Sequence, residues 1–334
     1  ASRITAAREP RRKTAAWKQE LEAGLKETSA RLFEAVRLIE DIPALKPTAR
    51  GLREKAERLR ENRYAVALFG AFSAGKSSFA NALLGVRAMP VSPNPTTAAI
   101  IRVVPPAAGW EHGTAKVTIK DRSALEEEVL YSLEQLGMQA GSLDEGLRLI
   151  PQIAPGEVSP KGRPHYAFLR AVLQGWERES GHLGHALRTD ADLYAEYAAQ
   201  ESRSCFVRDI ELYLSCPMTD AGLTLVDTPG ADSINARHTG VAFNYIKNAD
   251  AILFVTYYNH AFSQADREFL NQLGRVKDSF ELDKMFFVVN AADLAADHEE
   301  LEGVLRHVEH NLLQHGIRKP RLFPVSSLQA LEAK

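Results

Sequence analysis

The spacing of apolar residues changes at about residue 63 and divides the sequence into two parts. Between residues 17 and 39, apolar positions recur at intervals of three, four and seven, which is the period of an α-helix. Pro43 and Pro47 interrupt this pattern, and a second helix is predicted over 48–63. We therefore expect 1–63 to be a helical segment, packed either on its own domain or as one arm of a longer helical bundle.

Beyond this point, short apolar runs of strand length alternate with helical patterns. The strand-like runs are 64–69, 98–104, 116–120, 206–214, 223–226, 251–257, 285–289 and 322–325. The helical patterns are 76–84, 263–273 and 297–315. This alternation predicts an α/β domain over 64–334, with a mixed, mostly parallel sheet flanked by helices. Because the strands near 206–226 are joined too tightly for a crossover helix, one edge is expected to be antiparallel.

The segment 105–205 does not follow this alternation. Apolar residues between 125 and 136 mark one helix, and 150–164 is rich in Pro and Gly and is predicted to be a loop. Two more helices are predicted over 165–176 and 191–200. The segment is therefore interpreted as a largely helical insertion in the α/β domain.

Composition and charge exclude several classes of protein. A net charge of −2, with 25% charged and 45% hydrophobic residues, is ordinary for a globular protein. The chain lacks the basic excess of a nucleic-acid binder, and no apolar run reaches the roughly 20 residues that span a bilayer. Cys205 and Cys216 have neither metal-site spacing nor a disulfide framework, which favours a cytoplasmic setting. Because the chain does not begin with Met, we expect it to be part of a longer protein.

One motif carries most of the functional information. It lies between a predicted strand and a predicted helix and matches G-x-x-x-x-G-K-[ST], the phosphate-binding P-loop. Its backbone N–H groups and the helix N-terminus would surround phosphate, Lys76 would neutralise β- and γ-phosphate oxygens, and Ser77 would ligate Mg²⁺. The alternative is a glycine turn between two packed elements. The nucleotide-binding residues proposed here are Gly70, Ala71, Phe72, Ser73, Ala74, Gly75, Lys76, Ser77 and Ser78.

A second motif, Asp-Thr-Pro-Gly at 227–230, directly follows the strand-like run 223–226. The Asp227 carboxylate at a strand end can reach Mg²⁺, usually through water, and Gly230 can offer its backbone N–H to a γ-phosphate. The same four residues also suit an ordinary turn. Their position after a P-loop favours the phosphate-sensing interpretation.

A threonine pair precedes the strand at 98–104. A Thr hydroxyl there can ligate Mg²⁺ while its backbone N–H contacts the γ-phosphate. Thr97 is the chosen residue and Thr96 the alternative; both could instead merely start the strand.

Two further positions point to a guanine base. Asn290 and Asp293 follow the strand 285–289 with the N-x-x-D spacing, in which the Asp carboxylate accepts from guanine N1 and the exocyclic amine. An Asp that starts a helix is the alternative. Ser326 and Ser327 follow the last predicted strand, where a backbone amide can contact the guanine oxygen.

In this order the motifs resemble those of a GTPase domain. The P-loop resembles that of the dynamin superfamily, and the segments 94–97 and 227–233 are similar to those of bacterial dynamin-like proteins. The long insertion also favours a large GTPase. Two positions depart from the family pattern, since Phe72 stands where many eukaryotic dynamins have Gln and Ala291 stands where the base-reading motif has Lys.

The resemblance implies hydrolysis of GTP to GDP and phosphate. Ser73, Lys76, Thr97 and Gly230 would act in catalysis, and Ser77, Thr97 and Asp227 would hold Mg²⁺, with a K⁺ or Na⁺ ion as a further cofactor. It also implies a homodimer through the nucleotide face, and contact with membrane lipid by a cytoplasmic, peripherally associated complete protein. No nucleic-acid partner is expected.

Two other functions stay open at this point. A small regulatory or ribosome-assembly GTPase would be expected to show a basic face, whereas the chain beyond residue 63 holds 25 Lys and Arg against 33 Asp and Glu. A nucleotide-binding scaffold with little hydrolysis stays open because of Phe72 and Ala291. The basic start of the chain can be read as a solvated end or as a contact with acidic lipid.

Overall fold

The computed structural model describes residues 15–61, 63–71, 74–91, 99–228, 249–275 and 284–333. The chain divides into two compact units, Ala1–Tyr64 and Ala65–Lys334. None of the helices in the described ranges combines the length and apolar character needed to cross a membrane.

The described residues of the first unit include a pair of helices, α1 (Ala15–Ile39) and α2 (Lys46–Arg60), joined by a short turn that includes a 3₁₀ segment. Ser29 Oγ of α1 donates to the Ala56 carbonyl of α2 at 2.6 Å, and both residues are buried. The two helices therefore pack on each other, as the helical spacing of their apolar residues requires.

The start of α2 differs from the prediction. Pro47 does not interrupt a helix but lies in the first turn of α2, which begins at Lys46. Proline is tolerated there because the first N–H groups of a helix have no partner within the helix in any case.

In the second unit, the strands of the described residues form one sheet. They are β1 (Tyr64–Phe69), β2 (Ile100–Val104), β3 (Ala115–Ile119), β4 (Ala186–Thr189), β5 (Val207–Tyr213), β6 (Leu223–Asp227), β7 (Ala251–Tyr257), β8 (Met285–Asn290) and β9 (Leu322–Val325). Their order in the sheet is β4-β3-β5-β2-β6-β1-β7-β8-β9.

The sheet has a parallel half and a mixed half. Strands β1, β7, β8 and β9 run parallel to one another. On the other side, β3 is antiparallel to β4 and β5, and β6 is antiparallel to β2. The antiparallel edge predicted from the short β5–β6 connection is present, but β5 and β6 do not pair, because β2 lies between them and is parallel to β5.

Helices cover both faces of the sheet. Among the described residues of the second unit they are α3 (Lys76–Leu84), α4 (Arg122–Gln135), α5 (Leu143–Leu149), α6 (Arg163–Glu179), α7 (Ala191–Ala199), α8 (Glu201–Ser204), α9 (Pro217–Asp220), α10 (Gln264–Arg275), α11 (His298–Gln314) and α12 (Ser327–Glu332). Alternate residues of β1 enter two cores: Val66 and Leu68 join the one that includes α3, α4, α6 and α7, and Ala67 and Phe69 join the one that includes α10 and α11.

The segment 105–205 contains helices α4 to α8, but it also contributes β3 and β4 to the main sheet. The strand β4 was not predicted, because Ala186–Thr189 is only four residues long and has a single buried position. Its pairing with β3 and the shared core make this segment an extension of the sheet and its helical layer.

Candidate functional site

The P-loop turns from β1 into α3 around two glycines in the left-handed region. Gly70 has φ +147°, and a Cβ added there would lie 2.0 Å from the Val255 carbonyl oxygen of β7. Gly75 has φ +79°, and a Cβ there would lie 2.4 Å from Asn290 Nδ2. Both positions need glycine because the backbone conformation and the close neighbours exclude a side chain.

The Lys76 ammonium lies inside this turn. It is 8% exposed, and its Nζ donates to the carbonyl oxygens of Gly70 at 3.1 Å and Ala71 at 3.0 Å. A buried ammonium directed at the loop interior is placed where phosphate oxygens can replace these carbonyls as acceptors.

Ser77, the next residue of α3, meets the end of β6. Its Oγ donates to Asp227 Oδ2 at 2.9 Å. Asp227 is 1% exposed, and burial raises the pKa of this carboxyl, while the Lys76 charge and the hydrogen bond from Ser77 partly offset the rise. The two residues that the sequence assigns to Mg²⁺ at this edge are therefore brought together.

The Asp227 carboxylate has a free acceptor among the described residues. Its Oδ1 atom is buried and has no hydrogen-bond partner there. A buried carboxylate oxygen without a partner is unfavourable, and a hard cation or its bound water is a suitable ligand for it. The hydroxyl of Ser77 and the carboxylate of Asp227 thus fit magnesium by their chemistry.

Asn290 connects three loops of the site. Its Nδ2 donates to the carbonyl oxygens of Ala74 and Gly75 at 3.4 Å each. Its Oδ1 accepts from Ser327 Oγ at 2.7 Å and from Ser327 N at 3.3 Å. The buried Asn290 side chain therefore fixes the end of the P-loop to the loop that follows β9.

The other residues predicted to contact the base lie near this connection. Ala291 has φ +61°, and Asp293 is exposed in the 3₁₀ turn Ala292–Leu294. Ser326 is the N-cap of α12, where its side chain accepts from the Gln329 N–H at 3.2 Å. The exposed Asp293 carboxylate is accessible to a base, whereas the Ser326 side chain is engaged in capping.

Five residues predicted for the site, Phe72, Ser73, Thr96, Thr97 and Gly230, lie outside the described residues. Ser78 lies in the first turn of α3 and is half-buried.

One residue of the site was missed by sequence analysis. Asp266 of α10 is 1% exposed and accepts from the Ala71 N–H of the P-loop at 3.3 Å. It also accepts from Thr256 Oγ1 at 3.0 Å and from Ser263 N and Oγ at 2.9 and 3.0 Å, and burial raises its pKa. The sequence signal for it was no more than a Ser three residues ahead of an Asp at a helix start.

Residues 66–292 match the profile of the Dynamin family. Dynamin-like protein A of Bacillus subtilis is 38% identical over 319 residues, which cover 95% of this chain and 26% of that protein. A probable transmembrane GTPase, FZO-like and chloroplastic, of Arabidopsis thaliana is 27% identical over 145 residues, covering 42% of this chain and 15% of that protein.

Among solved structures, a chain of an oligomerised bacterial dynamin pair aligns with a TM-score of 0.62 at 17% identity. The alignment covers 93% of this chain and 47% of that chain. That pair is described as providing a mechanism for the long-range sensing and tethering of membranes. The likeness supports the fold, and this chain spans only about a quarter of the Bacillus subtilis relative.

Proposed function

The chain belongs to the dynamin family, and we propose that it hydrolyses GTP to GDP and phosphate at the P-loop. The observation that carries the proposal is the contact of Ser77 with Asp227 beside the buried Lys76 ammonium. These groups offer a cation, a hydroxyl and a carboxylate at one edge of the sheet, which is the set that phosphoryl transfer needs. Family membership also decides against the ribosome-assembly alternative.

In this mechanism the P-loop positions the phosphates. The Lys76 ammonium exchanges the carbonyl oxygens of Gly70 and Ala71 for β- and γ-phosphate oxygens, and the backbone N–H groups at the start of α3 contact the same anion. The resemblance assigns the γ-phosphate contacts to Thr97 and Gly230.

Hydrolysis then needs an attacking water in line with the leaving oxygen. A bond forms between the water oxygen and the γ-phosphorus, the bond from that phosphorus to the bridging oxygen breaks, and the water gives up its proton to the phosphate product and solvent. Lys76 stabilises the charge that develops on the phosphoryl oxygens. Mg²⁺, held by Ser77 and Asp227 with Thr97 as the third proposed ligand, supplies further charge neutralisation when bound.

Base selection is proposed for the loops after β8 and β9. The Asp293 carboxylate accepts from guanine N1 and the exocyclic amine, a donor pair that adenine lacks. Asn290 supports this contact indirectly, since it fixes the P-loop to Ser327. The family pattern also adds a K⁺ or Na⁺ ion near Ser73.

For the complete protein, we propose nucleotide-dependent pairing of two copies through the nucleotide face. Dynamin-family membership supports this arrangement, and the structural neighbour is itself an oligomerised pair that tethers membranes. The coupled function would be membrane remodelling or fusion by a cytoplasmic protein that contacts lipid peripherally.

The test is GTP turnover per molecule as a function of protein concentration, with ATP as the competing substrate. We expect turnover that is selective for GTP and that rises with concentration, as pairing across the site requires. Lys76→Ala is expected to lower turnover at least about a hundredfold, because it removes a charge that acts in the transition state. Lys319→Ala is the matched control, since Lys319 is an exposed lysine ahead of β9, at the opposite end of that strand from Ser326.

Two other outcomes would contradict different parts of the proposal. Turnover that does not change with protein concentration would contradict the pairing but not the hydrolysis. GTP binding without turnover at any concentration would overturn the enzymatic proposal and favour a nucleotide-dependent scaffold.

A further inference from the structure

A tyrosine of the segment 105–205 contacts the residues that follow the P-loop helix. Tyr194 of α7 is 4% exposed, and its hydroxyl donates to Met89 Sδ at 3.8 Å. Met89 lies five residues beyond the end of α3 and is 3% exposed. Residues 105 sequence positions apart thus meet in the core that underlies the nucleotide site.

The backbone of Met89 is in turn fixed to α3 by two hydrogen bonds with a side chain of that helix. Asn81 Nδ2 donates to the Met89 carbonyl at 2.9 Å, and the Met89 N–H donates to Asn81 Oδ1 at 2.7 Å. Asn81 is 2% exposed, so both ends of its amide are paired away from water. A buried amide that pairs with both backbone polar groups of one residue specifies one arrangement of the two segments.

Asn81 also relates directly to the site. It lies four residues after Ser77 on α3, so the two side chains share one face of the helix. Ser77 in turn contacts Asp227 at the end of β6. A continuous series of contacts therefore runs from α7 through Met89 and α3 to the serine–aspartate pair.

The electrostatic environment of Tyr194 agrees with this series. Burial raises its pKa, and the charge of Asp227 raises it further. The hydroxyl therefore stays protonated and remains a donor to Met89 across the pH range in which the protein is folded.

We propose that Tyr194 is a positioning residue for the magnesium side of the nucleotide site. Through Met89 and Asn81, the segment 105–205 holds α3 where Ser77 meets Asp227. The inference rests on the proposed function, because the cation concerned is the one that accompanies GTP or GDP. It assigns a role to a segment that forms no part of the P-loop or of the base-reading loops.

The position of Tyr194 predicts which property changes when its hydroxyl is lost. The hydroxyl donates to Met89, which lies outside the P-loop, so the phosphate contacts of the P-loop are retained without it. Without the hydroxyl, the position of Ser77 relative to Asp227 is less tightly restricted. The affinity for Mg²⁺ in the nucleotide complex should fall, while the Mg²⁺-free affinity for GDP should not.

The experiment uses Tyr194→Phe in the full chain, which removes one oxygen atom and keeps the ring. Release of fluorescent methylanthraniloyl-GDP is measured while Mg²⁺ is titrated, and again in excess chelator. We expect the Mg²⁺ concentration for half-maximal slowing of release to rise about two- to tenfold, as for a lost coupling of modest energy. The release rate in chelator should change less than about twofold.

The chain offers a matched control on the same helix. Tyr197 of α7 is also buried, but its hydroxyl donates to Glu179 Oε2 of α6 at 2.8 Å, away from Met89. Tyr197→Phe should lower the melting temperature without shifting the Mg²⁺ titration. An equal shift in both variants would overturn the proposal, because it would show a general loosening of the segment.

A double-mutant cycle tests the path. Met89→Leu keeps the volume of the side chain and removes the sulfur acceptor. In that background, Tyr194→Phe should have no further effect on the Mg²⁺ titration, whereas additive effects would contradict transmission through Met89.

Failure of this inference differs from failure of the proposed function. A wild-type chain that binds GDP in a Mg²⁺-dependent manner but does not hydrolyse GTP would overturn only the enzymatic proposal. A Tyr194→Phe titration identical to that of the wild type, or a wild type whose GDP release Mg²⁺ does not slow, would overturn the positioning role.

Discussion

Two regions of the second unit each contain a buried lysine and a buried carboxylate, and the hydrogen-bond partners of these groups differ. In the segment 105–205, Lys120 Nζ donates to Glu128 Oε2 at 2.6 Å and to the Cys205 carbonyl at 2.9 Å. At the nucleotide site, the Lys76 ammonium is bound to loop carbonyls, and Asp227 Oδ1 has no partner among the described residues.

The difference concerns these two groups and not every buried charge, since Glu179 Oε1 of the segment 105–205 also has no hydrogen-bond partner among the described residues and lies 3.7 Å from Arg203 Nε. A buried ion pair whose members satisfy each other contributes to the packed structure and leaves no atom for a ligand. The site instead holds its cation on backbone carbonyls that a ligand can replace, and it buries a carboxylate oxygen without a partner among the described residues. This arrangement lowers the stability of the nucleotide-free protein. The comparison predicts that the two regions respond in opposite ways to the loss of a charge.

The largest effects are expected from replacing a glycine that permits close approach of two backbones. Each such substitution disrupts one region and leaves the other intact. A Cβ at Gly70 would lie 2.0 Å from the Val255 carbonyl oxygen, and one at Gly175 of α6 would lie 1.9 Å from the Ser202 carbonyl oxygen of α8. Gly70→Ala and Gly175→Ala should each lower the free energy of unfolding by at least about 4 kcal/mol.

Urea unfolding and GDP binding below the transition distinguish the two variants. Gly70→Ala should abolish binding, whereas Gly175→Ala should retain it. Gly303→Ala on α11 is the control, because nothing lies within 4 Å of its added Cβ, and it should stabilise the protein by about 0.5–1 kcal/mol. Retained binding in Gly70→Ala would show that the P-loop turn does not need this glycine.

The next largest effect concerns the buried ion pair. Glu128→Leu leaves the Lys120 ammonium buried without its carboxylate, and it should cost about 3–5 kcal/mol in urea unfolding. The double variant Lys120→Met with Glu128→Leu should recover most of this loss, because no buried charge remains. A double variant as unstable as the single one would show that the pair itself, not the unpaired charge, determines the stability.

The smallest effect is expected from Asp227→Asn, and its sign is opposite. Burial raises the pKa of Asp227 in the folded state, so the folded protein binds this proton more tightly than the unfolded chain does. Stability is therefore lost as the pH rises from the ordinary Asp value of about 3.9 through the folded pKa, and the penalty is complete above it. Asp227→Asn should stabilise the nucleotide-free protein by about 1 kcal/mol at neutral pH while weakening Mg²⁺-dependent GDP binding.

This stabilisation is tested by measuring the free energy of unfolding of the wild type and of Asp227→Asn across a pH series. The advantage of the variant should shrink toward acidic pH, where both side chains are neutral. An advantage that does not vary with pH would assign the gain to packing and not to the charge.

Much of the parallel half of the sheet and of the site was predictable, because the information is local. Helix α3 matches its predicted bounds, and β7 and β9 do so as well. The P-loop glycines and Lys76 follow one another along a single turn, so their spacing alone places them together. The strand β4 escaped prediction because half of its positions are exposed and its four residues are too few to show a period.

The class of protein follows from local features: a strand, a glycine turn, a helix and an ordered set of motifs, all encoded by neighbours along the chain. Which distant groups meet depends on the order of the strands and the packing of the helices. The tertiary structure places β2 between β5 and β6, Asp266 on the P-loop amide of Ala71, and Tyr194 on Met89. These contacts join residues about 100 to 200 positions apart. The periodicity of apolar residues does not predict them, because they form only when the sheet order brings the elements together.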